Sequence, residues 1–127
     1  MKEFDLWNKK KKTLEERAHV PLFNEREIWW CTLGLNLGFE VDGKDDDFER
    51  PMCIVRKFNK DTFLGFPLTS TTKESRYYFP LTLHGTKGSL NLSQGRLLSA
   101  KRLQRKLGRM SGAEFERLKN ELRDLLF

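Results

Sequence analysis

Between Glu49 and Thr72 the chain reads E-R-P-M-C-I-V-R-K-F-N-K-D-T-F-L-G-F-P-L-T-S-T-T. A cation, Arg50, stands at the mouth of one apolar run, and hydroxyls from Thr69 onward follow the end of the next. The turn formers Asn59 and Asp61 lie between the two runs. This pattern predicts a strand pair that brings Arg50 and Thr69 close together across a small sheet. A fixed guanidinium and a hydroxyl converging on one point suit a phosphate group. The same residues also fit an ordinary hairpin with an exposed arginine and a polar loop.

Other chemistry is sparse. Histidine is the usual proton carrier near neutral pH. The chain has only His19, in the N-terminal arm, and His84, beside a glycine turn, and neither is assigned to the site. Asp42, Asp45, Asp46, Asp47 and Glu49 form an acidic loop just before Arg50 and read as surface. Cys31 and Cys53 sit inside apolar strands at a spacing that fits no metal motif, so buried, reduced thiols are expected. No metal site and no cofactor are expected.

The elements that position these groups can be read in order. Residues 1–24 form a basic arm, helical in part, with Phe4 and Trp7 on one side, four lysines at 9–12, and Pro21 as a stop. A single domain follows over 25–127. Strands are expected at Glu27–Leu33, Met52–Phe58, Thr62–Leu68, Arg76–Leu83 and Ser89–Leu92, the last two joined by a turn at Gly85–Gly88. Gly65 and Pro67 predict a bend or a sheet edge in the third of them. Gly34–Glu49 has no period and reads as a long loop. Leucines at 97, 98, 103 and 107 predict a helix over Leu97–Leu107 that Gly108 caps. Ser111 and Glu114 then form a capping box, with Met110 and Phe115 placed as its hydrophobic staple. Phe115, Leu118, Leu122, Leu125 and Leu126 keep one face of this last helix apolar. Five strands segregated from terminal helices predict a mainly β fold, a small and partly open barrel, rather than a doubly wound sheet.

The 127 residues hold one modest core. At 38% apolar and 33% charged the chain reads as globular, no apolar run approaches the ~20 residues of a membrane span, and the N-terminus lacks a signal-peptide core, so a cytoplasmic protein is expected. The formal net charge of +6 favours anionic partners. Lys9–Lys12 form one basic block, and Lys101, Arg102, Arg105, Lys106 and Arg109 form another.

Four segments in order, G-L-N-L-G-F-E-V-D-G at 34–43, R-P-M-C-I-V from Arg50, P-L-T-S from Pro67 and S-Q-G-R-L-L-S-A-K-R-L from Ser93, resemble the MazF/PemK family of toxin endoribonucleases. The resemblance runs from about Glu25 to the C-terminus. It implies an SH3-like, CcdB/PemK-type barrel that forms a homodimer, with RNA in a groove across the dimer. It implies metal-independent, sequence-specific cleavage of single-stranded RNA, mRNA included, through 2′-OH attack to a 2′,3′-cyclic phosphate. The partner it implies is a small acidic antitoxin. Arg50 and Thr69 match the family's catalytic pair, and Glu40, Ser70, Gln94 and Arg96 its substrate contacts. Phe39, Trp29 and Tyr77 are candidates for base stacking, with core packing the stronger reading for Trp29. The chain departs from the family's G-S-E-Q loop, reading Gly38-Phe39-Glu40-Val41, which implies altered base preference or a weaker enzyme. The alternatives are a gyrase inhibitor built on the same barrel class, whose relatives lack the arginine–threonine pair, and a plain nucleic-acid-binding module.

Overall fold

The computed structural model describes residue 11 and residues 20–33, 49–70 and 74–127. Most of the expected N-terminal arm, including Phe4, Trp7 and all of the lysine block except Lys11, lies outside these residues, as does the loop that carries Phe39, Glu40 and Asp45–Asp47.

Over the described residues from 20 onward, seven strands and one α-helix follow in chain order. They are β1 (Glu27–Thr32), β2 (Glu49–Lys57), β3 (Thr62–Thr69), β4 (Tyr78–Leu83), β5 (Thr86–Asn91), β6 (Arg96–Ser99), β7 (Leu103–Arg109) and α1 (Gly112–Leu126). A short 3-10 turn, Ala100–Arg102, joins β6 to β7. The sheet runs β4-β5-β3-β2-β1-β7, with β6 also paired to β3 and every pairing antiparallel. One edge of β3 is shared: Thr62–Gly65 pair with β6, and Leu68–Thr69 pair with β5. The handover falls at Phe66–Pro67, where Gly65 and Pro67 predict a bend.

The strand period of two divides the core between two faces. On β2, Met52 and Ile54 enter one apolar cluster and Cys53 the other. The first cluster gathers Ile28, Phe66, Phe79, Leu81, Leu90 and Leu92 under Phe115, Leu118 and Leu122 of α1. The second gathers Phe23, Trp29, Cys31, Met52, Ile54, Phe63, Leu98 and Leu103. Both cysteines are free and buried, in different clusters, which keeps them from bridging. Burial pushes the Cys31 thiol far up and the Cys53 thiol up to about 12, so neither is a thiolate near neutral pH.

The helix α1 forms as its local code predicts. Ser111 Oγ accepts from the Glu114 amide at 3.1 Å, and the Glu114 carboxylate accepts from the Ser111 amide at 3.4 Å. Met110 and Phe115 are both buried in the cluster beneath the cap.

Four expectations are corrected. The helix predicted over Leu97–Leu107 is instead β6, the 3-10 turn and β7. The cause is tertiary: as strands these residues pair with β3 and β1, burying Leu98 and Leu103 while Leu97 stays 68% exposed. Leucines at 97, 98, 103 and 107 therefore do not line one helical face. Gly108 is a strand residue opposite Ile28, not a helix cap. The terminal helices reduce to α1 alone among the described residues. The turn expected over Gly85–Gly88 is His84–Gly85, and β5 begins at Thr86. No helix among the described residues is long and apolar enough to cross a membrane.

Candidate phosphate site and groove

Arg50 enters the sheet at the start of β2, and Thr69 closes β3. The antiparallel register sets Met52 opposite Pro67. The β2–β3 pairing ends at Met52 and Pro67, beyond which Arg50 pairs with Cys31 of β1 and Thr69 stands at the end of β3. Both are half-buried. Thr69 also pairs with Ser89 of β5. Gly88 permits that close approach, since a Cβ there would lie 2.7 Å from the Thr69 carbonyl oxygen.

The entry of β2 is anchored by charge. Glu49 is buried, pairs in the sheet with Thr32, and accepts from Arg105 Nη1 at 2.8 Å. The same guanidinium lies 5.0 Å from the Trp30 ring centre. Thus the residue next to Arg50 is tied across β1 to β7.

Trp30, Pro51, Leu68 and Thr69 open onto a cavity of about 360 Å³. Leu81, Leu83 and Leu107 complete its apolar lining. Ser70, His84, Thr86 and Lys87 add polar groups to it. The structure therefore brings Thr69 and Ser70 together and sets them beside His84 and Lys87, which the sequence reading leaves out of the site. The only sequence signal for His84 is its place before Gly85 in a strand–turn–strand pattern.

Gln94 and Arg96 line a different cavity, about 400 Å³, with Ser93, Gly95 and Leu97. Gly95 lies on Phe66, whose ring would come within 2.7 Å of a Cβ there. One Arg96 nitrogen, Nη1, is buried with no hydrogen-bond partner among the described residues, so this cavity can still give a hydrogen bond to an acceptor. Glu40 lies outside the described residues. Trp29 is buried in the core and donates to Glu27, whereas Tyr77 is 47% exposed with Arg76 6.0 Å from its ring centre. Among the described residues no three His, Cys, Asp or Glu side chains are grouped so that they could hold a metal ion.

A chemical type, a register and a cavity do not by themselves name a family. A family model does: residues 24–126 match the PemK-like, MazF-like toxins of type II toxin–antitoxin systems. The chain belongs to that family. No curated protein matches it. The fold is shared with MazF from Deinococcus radiodurans at 19% identity and a TM-score of 0.63, covering 86% of this chain and 98% of that one. It is shared with the Mycobacterium tuberculosis toxin MazF-mt6 at 14% identity and a TM-score of 0.61, covering 80% and 96%. A mycobacterial endoribonuclease in complex with its cognate antitoxin is similar at 18% identity and a TM-score of 0.63, covering 84% and 94%. The family match spans every strand and all of α1, so Arg50, Thr69, Ser70, Gln94 and Arg96 fall inside it.

An ion pair between β1 and β7 gives a stability prediction. Glu27 is only 7% exposed, and burial by itself raises its carboxyl pKa. The bonds from Trp29 Nε1 at 3.0 Å, the Asn24 amide at 2.8 Å and Lys106 Nζ at 3.0 Å outweigh burial and hold the carboxyl below its ordinary value of 4.5. A folded-state value below the unfolded one contributes stability that is complete above about pH 4.5 and is lost as pH falls through the folded value. Glu27→Gln is expected to lower Tm at pH 7, with the deficit shrinking on acidification below that point. An equal deficit at pH 7 and pH 3 contradicts this role.

Proposed function

We propose that this chain is the toxin of a toxin–antitoxin pair and that it cuts single-stranded RNA, mRNA included, at specific sequences. The observation that supports the reading is the family match, which spans Arg50 and Thr69 at the ends of the paired strands β2 and β3, with Thr69 and Ser70 lining one cavity. The 2′-oxygen attacks phosphorus, the P–O5′ bond breaks, and the products carry a 2′,3′-cyclic phosphate and a 5′-hydroxyl. Arg50 neutralises the extra charge on the phosphorane, a role suited to a side chain that does not give up its proton. The Thr69 hydroxyl fixes the scissile phosphate, with Ser70 beside it. Gln94 and Arg96, in their own cavity, hold flanking nucleotides, and exposed Tyr77 offers a face on which a base can stack.

The net charge of +6 suits both RNA and a small acidic antitoxin whose tail competes for the same groove. Two copies related by a two-fold axis would place two such cavities along one strand of RNA. The test is incubation of the purified protein with a defined RNA in excess EDTA, followed by end mapping and by light scattering of the same preparation. Cleavage with cyclic phosphate ends by a particle of twice the chain mass is expected. Intact RNA under these conditions refutes the nuclease reading, and an active monomer refutes the dimer.

A further inference from the structure

We infer that His84 is the general base that takes the proton from the attacking 2′-hydroxyl, an inference that rests on the nuclease reading above. His84 and Gly85 form a two-residue turn closing β4 onto β5, with Leu83 paired to Thr86. Both turn residues have positive φ, 50° at His84 and 78° at Gly85, the pattern of a type I′ turn. Glycine enters that conformation freely, and asparagine, aspartate and histidine are the other residues found there most often.

The ring has a made seat. Its Nε2 lies 2.7 Å from the carbonyl oxygen of Leu107 on β7. A carbonyl only accepts, so Nε2 carries the proton, and in the neutral ring Nδ1 presents the lone pair. A Cβ on Gly108 would stand 3.2 Å from Nε2 and 2.9 Å from a Leu83 methyl, so the seat depends on that glycine. The side chain is solvent-exposed and lines the cavity that Thr69 and Ser70 also line. A base oriented by a third group, beside the residues that hold the reacting phosphate, is the arrangement that nucleophile activation requires. In the proposed step Nδ1 accepts the 2′-OH proton as the 2′-oxygen bonds to phosphorus. The P–O5′ bond breaks, and the departing 5′-oxygen takes a proton from water. The imidazolium then returns its own proton to solvent.

The test uses the full chain and a defined RNA. Asn-Gly is a preferred type I′ pair, so His84→Asn removes the imidazole and keeps the turn. It is expected to cut ~10²-fold or more slowly, the scale of general base catalysis, with an unchanged Tm. His84→Gly leaves a space at the turn, and added imidazole is expected to restore its rate. Gly108→Ala, which displaces the ring without removing it, is expected to fall between parent and His84→Asn. If the parent cuts and His84→Asn cuts equally fast, the base assignment is wrong and the nuclease reading stands. A slow His84→Gly that imidazole does not rescue also overturns the base role, because the ring then acts only by position. If the parent leaves RNA intact, both readings fall together.

Discussion

An RNA carrying hydrogen in place of the 2′-hydroxyl at the cleaved nucleotide is expected to survive incubation with this protein, while the matched all-ribose strand is cut. The effect is all-or-none because the nucleophile belongs to the substrate. The protein positions the phosphate and handles charge and protons, and no side chain in the proposed site substitutes for the missing oxygen. The deoxy strand should still bind, since its phosphates, which Arg50 and Thr69 would hold, are unchanged. It should therefore compete with the ribose strand. The measurement is a gel of end-labelled strands with one deoxy position, run beside a competition series. Cutting at the deoxy position would mean that another nucleophile attacks phosphorus, and the mechanism proposed for this chain would be wrong.

The second large effect is expected at Arg50. Arg50→Ala should lose ~10²-fold or more in kcat with little change in KM, because a clamp on the phosphorane acts mainly in the transition state. The fold should survive, since Arg50 is only half-buried and its strand is held by pairing to β1 and β3. Thr69→Val keeps the shape of the side chain and removes the hydroxyl, so a smaller loss is expected. Single-turnover kinetics, with Tm measured alongside, separates loss of chemistry from loss of fold. Parental kcat in Arg50→Ala would remove Arg50 from the site.

Much of this protein is legible along the chain because the relevant forces act over short distances. The capping box at Ser111 and the apolar face from Phe115 to Leu122 predict α1, and its amides, carboxylate and core contacts follow that code. Apolar and β-branched runs predict β1 to β4 within a few residues, and turn formers predict the β2–β3 hairpin. Arg50 and Thr69 are legible as neighbouring strand ends because one hairpin joins β2 to β3. The family pattern is legible for the same reason: each of its segments from Arg50, Pro67 and Ser93 is a short local run, on β2, β3 and the stretch leading into β6.

The stretch from Arg96 to Arg109 shows where local signals fail. Its leucines and basic residues are good helix formers, but helix preference is worth only tenths of a kcal/mol per residue. Pairing with β3 and β1 provides backbone partners and buries Leu98 and Leu103 in one move. Those partners lie far away in the chain, so no local window contains them.

Residue types, the capped helix and the order of the motifs were determined by the sequence alone, through caps, alternation and turns that span a few residues each. The tertiary structure alone decided which of the candidates share a cavity. It set Gln94 and Arg96 apart from Thr69 and Ser70. It also carried His84, on the β4–β5 turn, to the Leu107 carbonyl, into a seat that a side chain on Gly108 would crowd. The β4–β5 turn and β7 are edges of the sheet that meet only when the sheet curls. That meeting depends on long-range pairing and packing, which residue spacing does not encode.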